Sequence, residues 1–170
     1  MKIQQIKNTI IKGLYQHTKL LVIDTDNNNK KPKHPYYSYK ITTIRKNSKE
    51  KGNYSYRFEK SENPNFRNDY VEELSFQPSM VMSVNCYSLD IAECQDNILE
   101  AWEWFKLKGK LYLSNNNLVV VDVGDIQDRT VALVDNYEYR YGFDVNIRYL
   151  HEFDTRLETI EEAKLKGGIE

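Results

Sequence analysis

Cysteine is almost missing from this chain: Cys86 and Cys94 are the 2 among 170 residues. Their spacing matches no zinc or redox motif and both fall in apolar-patterned segments. They are expected as buried free thiols in a protein made and assembled in a reducing cytoplasm. Surplus charge is missing too. With 24 basic and 25 acidic side chains the formal charge is −1, so no overall field draws in nucleic acid or an anionic membrane. No apolar run approaches the roughly 18 residues that span a bilayer. The opening "MKIQQIKNTIIKGLYQ" carries no small-residue cleavage site of the signal-peptide kind. A membrane is therefore not among the expected partners.

The usual catalytic signatures are absent as well. His17, His34 and His151 fall in a helix end, a loop and a strand end, which is no arrangement for a triad or a metal site. There is no P-loop, no GxGxxG and no GxSxG. "DTDNNNKKPKHP" (24–35) starts like a calcium loop with Asp24, Asp26 and Asn28. It then fails, because Asn29 stands at the turn-glycine position and Pro35 at the bidentate glutamate. Asp122, Asp125, Asp128 and Glu138 could be imagined as a nuclease carboxylate set. A lysine two residues after the last acid would be wanted, however, and Arg140 stands there. Turn acids around a strand connection are the simpler reading. No enzyme, cofactor or metal is expected.

What the chain has is tyrosine, 13 in all, a residue suited to strands and to contact surfaces. The densest patterning is "NYEYRYGFDVNIRYLHEF" (136–153). Tyr137, Tyr139, Tyr141, Phe143, Val145, Ile147 and Tyr149 alternate with Glu138, Arg140, Gly142, Asp144, Asn146 and Arg148. Strict alternation over 13 residues predicts one β-strand with one buried face, more than twice the usual length of about 5–6 residues.

Elsewhere, Ile3, Ile6, Ile10 and Leu14 predict an amphipathic helix over 2–16, its last turn weakened by Gly13. Residues 19–24 and 36–46 read as strands, the second slipping register between Ile41 and Ile44. Residues 47–68 read as a polar loop insertion with a brief strand-like core at 54–58. Residues 70–90 read as a strand pair or one strand bent at Pro78. Asp90 is an expected N-cap, with Glu93 completing a capping-box pattern. The helix that follows has Trp102 on its core stripe and ends at Gly109. Its Trp104 points to another face and is a candidate exposed contact. Residues 117–126 read as a buried strand, and 154–170 as a charged tail or frayed helix. The expected fold is α+β: a single domain over 1–153 with an antiparallel-rich mixed sheet and two main helices on one face.

The basic cluster Lys30, Lys31, Lys33 and His34 lies in a loop, where a solvated surface is the ordinary reading. A nucleic-acid-binding module with a tyrosine-rich sheet as stacking platform is the alternative function. It needs the aromatics exposed, whereas the 137–149 alternation assigns them to a core.

"HPYYSYKITTI" (34–44) and "DRTVALVDNYEYRYGFDVNIRYLHEF" (128–153) resemble segments of phage neck and tail-terminator proteins. The most specific part is the aromatic-Glu-x-Arg-x-Gly-Phe-Asp-Val strand, here Tyr137, Glu138, Arg140, Gly142, Phe143, Asp144 and Val145. "NILEAWEWFK" (97–106) stands where that family carries its helix between sheet halves. The resemblance implies a structural virion protein, assembled in the host bacterial cytoplasm and located in the neck or tail. It implies a ring of six subunits that caps the finished tail tube and joins it to the head connector. The implied partners are further copies of itself, the tail-tube protein, a head-connector or head-completion protein and the tail sheath. DNA would pass through the lumen without sequence-specific binding. On this reading Glu138, Arg140, Asp144 and Arg148 are candidate subunit-interface residues; otherwise they form the solvated face of a half-exposed sheet. The loops holding Lys30, Lys31, Lys33, His34, Tyr54, Tyr56 and Arg57 are candidate partner contacts.

Overall fold

Thirteen residues of alternation become thirteen residues of strand, Tyr137–Tyr149 (β9). The computed structural model describes residues 2–27, 30–46, 51–132 and 137–158. Its elements fall in two compact units, Met1–Lys49 with Gln77–Leu150, and Glu50–Phe76 with His151–Glu170. With strands predominating beside three helices, the fold is α+β.

In the first unit β9 is the spine of the sheet. It pairs antiparallel with Ser79–Ser88 (β5), which pairs antiparallel with Tyr36–Lys46 (β2). Val22–Asp24 (β1) adds a parallel edge to β2. On its other side β9 takes Leu118–Val123 (β6), Gln127–Asp128 (β7) and Val131–Ala132 (β8) in succession. The slip expected between Ile41 and Ile44 is a register irregularity of β2 against β5 at Ile41/Thr43.

Facing pairs Met80–Ile147, Met82–Val145 and Val84–Phe143 put the apolar row of β9 on one side, with Tyr37 and Tyr39 of β2 beside it. Three helices cover this side. They are Ile3–Thr18 (α1), Ile91–Glu103 (α2) and Lys110–Ser114 (α3), the last following a π-helical turn at Trp104–Lys108. Ile6, Ile10 and Leu14, Ile98 and Ala101, Phe105 and Leu113 join the strand residues in one buried cluster. Full burial of each large side chain stabilises by about 1.5–3 kcal/mol. Cys86 and Cys94 lie inside this cluster as free thiols. Asp90 caps α2, its carboxylate accepting from the Glu93 N–H at 2.8 Å. The Glu93 side chain does not close the expected capping box on Asp90; it accepts from the Ser88 hydroxyl.

Trp104 is not an exposed contact. It is 3% exposed, because it stands three residues after the buried Ala101 and so shares that face of the helix. The Trp104 indole lies over two glycines: a Cβ at Gly109 would fall 2.5 Å from its Cε2, and one at Gly13 2.7 Å from its Cζ2. Gly13 is thus a notch for the indole as well as a weak point in the helix. Trp102, as expected, packs against the core, donating from Nε1 to the Gly124 carbonyl at 3.0 Å.

The second unit is a three-stranded antiparallel sheet, in order His151–Glu158 (β10), Asn68–Phe76 (β4), Asn53–Lys60 (β3). The strand-like core expected at 54–58 is therefore a full strand paired over its whole length with β4. Residues 154–158, expected as tail or frayed helix, are instead the second half of β10. Its alternation of Phe153, Thr155 and Leu157 with Asp154, Arg156 and Glu158 was hidden by the charge of the segment. Residues 159–170 and 47–50 lie outside the described residues.

Candidate assembly interface

The side of the first unit's sheet away from the helices is polar, and β9 runs through it. Cross-strand rows read Tyr36–Tyr87–Arg140, Ser38–Asn85–Gly142 and Lys40–Ser83–Asp144. All four candidate interface residues, Glu138, Arg140, Asp144 and Arg148, share this side, as the period of two dictates.

Ser38 and Asn85 are almost fully buried although they face away from the core. Arg129 covers them. It leaves the β7–β8 connection and lies across the sheet, its Nη1 donating to Ser83 Oγ at 2.7 Å and Asn85 Oδ1 at 3.0 Å. Its Nη2 donates to Asp144 Oδ1 at 3.2 Å. Gly142 makes the space: a Cβ there would lie 2.7 Å from the Val84 carbonyl oxygen, 3.0 Å from Arg129 Nη1 and against the Asn85 side chain. Nothing in the sequence marked Arg129, which stands in a short connection. The polar residues spaced two apart in β5, Ser83 and Asn85, were the available signal that something charged lies over them.

At the other end of β9, Glu138 accepts from Lys31 Nζ at 3.0 Å and lies 2.9 Å from His34 Nε2. Two residues singled out for partner contact are thereby joined to one singled out for subunit contact, within the chain. Burial works to raise the Glu138 carboxyl, but the hydrogen bonds from Lys31 and His34 outweigh it and hold the group below its ordinary range. The Arg140 guanidinium lies 5.4 Å over the ring of Tyr87, which stacks on Tyr36 at 5.0 Å and 7°. Burial, reinforced by the Glu138 charge, pushes the Tyr36 hydroxyl up to about 12. Lys31, Tyr87, Val131, Glu138 and Arg140 line a hollow of about 170 Å³.

Three side-chain atoms along this face are buried without a hydrogen-bond partner among the described residues: Arg140 Nε, Asn146 Oδ1 and Arg148 Nε. Buried polar groups are nearly always satisfied, and these three, on one face of one strand, are covered by the chain's own atoms.

The remaining candidates lie elsewhere. Lys30 and Lys33 are exposed in the loop before β2. Tyr54, Tyr56 and Arg57 are on β3 of the second unit. Both tyrosines are well exposed, and Arg57 donates to Glu59 at 2.6 Å and Glu73 at 2.5 Å. Among the described residues no three His, Cys, Asp or Glu side chains form a metal cluster. The only thiols are sealed in the core. There a hydrogen bond shared with Cys94, together with burial, pushes the Cys86 thiol up and keeps it protonated. This chemistry suits contact between polar surfaces.

No curated protein matches the chain. The family model of the phage neck terminator protein matches residues 8–170, nearly the whole length. The chain belongs to the phage neck terminator protein family.

Proposed function

We propose that this structural protein of the phage neck and tail acts as a tail terminator. Its subunits close into a ring of six on the finished tail tube and join the tube to the head connector. The observation that carries the ring is the charged row Glu138, Arg140, Asp144 and Arg148, all on the side of the sheet away from the helices. Arg140 and Arg148 are half-buried rather than sealed, so a neighbouring subunit can supply acceptors to their guanidiniums. Charge-assisted hydrogen bonds of this kind fix register and orientation between surfaces. Glu138 contributes less directly, since Lys31 pairs with it and His34 lies within hydrogen-bond distance, and Asp144 is tied to Arg129. Lys30, Lys33, Tyr54 and Tyr56 are exposed and are the groups we assign to contacts with the tube and connector. The tail sheath is a further neighbour on this reading, and DNA passes through the lumen without base-specific contacts.

Mass in solution by light scattering, alone and with purified tail tubes, tests the proposal. A hexamer, or a monomer that becomes a ring on tubes, is expected. A monomer indifferent to tubes would overturn it.

A further inference from the structure

Among the described residues the three-stranded sheet of the second unit has two open edges. β3 bonds only β4 within the sheet, and so does β10 over Glu152–Glu158. Both edges are eight-residue strands without proline, and neither pairing contains a register irregularity. An edge that is long, regular and free of proline and bulges is a template for another strand, and its charged side chains restrict which strand that can be. The two edges differ in sequence, so joining one to the other between copies is a head-to-tail contact, the kind that closes rings. Both are antiparallel to β4 and therefore run in the same direction. A rotated neighbour brings its β3 alongside β10 in parallel.

We propose that β10 of one subunit pairs in parallel with β3 of the next, linking the three-stranded sheets around the ring; this rests on the ring reading above. The side chains select the register. One face of the sheet carries Ser55, Arg57 and Glu59 on β3 and Glu152, Asp154, Arg156 and Glu158 on β10. The other carries Tyr54, Tyr56 and Phe58 with Phe153 and Leu157. Continuing the existing rows straight across would set Arg57 against Arg156. A slip of two residues, the kind of stagger a closed sheet requires, sets Arg57 beside Asp154 and Glu59 beside Arg156. It also lays Tyr56 against Phe153, two rings exposed by 64% and 47% in the isolated chain. Asp154 has no ion-pair partner among the described residues, whereas Arg156 already contacts Glu59, Glu62 and Asp69. The slip therefore gives a cation to the carboxylate that lacks one.

Cysteine cross-linking tests the pairing in the full chain. Within one subunit residues 56 and 153 are on strands separated by β4, about 10 Å apart, beyond the roughly 7 Å Cα separation a disulfide tolerates. Cys86 and Cys94 are fully buried and give little background. The double variant Tyr56→Cys/Phe153→Cys, assembled on tail tubes and mildly oxidised, should give a ladder of covalent oligomers up to the ring; neither single variant should cross-link. Asp154→Arg should lose assembly, and Arg57→Asp in the same chain should restore it. Rings that form by light scattering without a ladder, and that ignore Asp154→Arg, overturn the edge pairing and leave the ring standing. A covalent dimer from a single variant overturns it in favour of like edges meeting. Wild-type chains that never assemble on tubes overturn both.

Discussion

Gly142 shows how much one missing side chain supports. The space it leaves lets the Arg129 guanidinium reach across β9 to Ser83 and Asn85 of β5. Gly142→Val would press Cβ on the Val84 carbonyl, where backbone cannot yield, and displace the Asn85 and Arg129 side chains. A loss of about 1–3 kcal/mol is expected for overpacking of this kind, read as a lower urea midpoint; an unchanged midpoint would refute the close-approach role. Glu138 gives a prediction in pH. Its folded carboxyl titrates below the ordinary glutamate value of about 4.3, so its stabilisation is complete above that value and fades as pH falls through the folded one. Glu138→Gln should therefore be less stable than wild type near neutrality, by about 1 kcal/mol, and the difference should shrink as pH falls below about 4.3. A difference that did not shrink with falling pH would assign the effect to packing. The alternation placed Glu138 and Gly142 on a polar face. It could not show that Glu138 is answered from Lys31 and His34, more than a hundred residues away, or that Arg129 lies over the glycine. Periodicity reports which side of a strand a residue occupies and nothing about what arrives from another segment.

At the scale of elements, the parts governed by local rules were legible. The bounds of β9, the slip in β2 and the Asp90 cap all follow from period or side-chain chemistry within a few residues. Asp90→Ala should lower stability by about 1 kcal/mol through the lost bond to the Glu93 N–H. Asp90→Asn, which keeps an acceptor, should lose a few tenths at most; equal losses from both would deny the cap its role. Gly109 ends the helical run, as expected, and caps it. That it also accommodates the Trp104 indole was not legible, because neither the indole's seat nor the π turn before it has a signature in a hydrophobic period of 3.6. β10 was misread because both faces of its partner sheet are solvated enough to admit charge. Arg156 alone pairs with Glu59, Glu62 and Asp69, and such a network looks like a tail when only one strand of it is read.

For the whole molecule, the charged residues of β9 divide into those that hold the subunit together and those left for a neighbour. Asp144 belongs to the first kind. Its partner Arg129 also satisfies Ser83 and Asn85, so Asp144→Arg would set two cations together over buried polar groups and should lower the subunit's own unfolding midpoint. Arg140 belongs to the second. Its Nε has no partner among the described residues and its guanidinium rests on the Tyr87 ring, so reversing it removes a cation–π contact of about 0.5–1 kcal/mol and no hydrogen bond at Nε. Arg140→Glu should leave the unfolding midpoint close to wild type while abolishing ring formation on tail tubes, because it places a carboxylate where the neighbour must present an acceptor. Measured side by side, the two variants separate folding from assembly. If Arg140→Glu assembles normally, the charged row of β9 belongs to the solvated face of an ordinary sheet, and the ring must close through other surfaces, the open edges of β3 and β10 first among them.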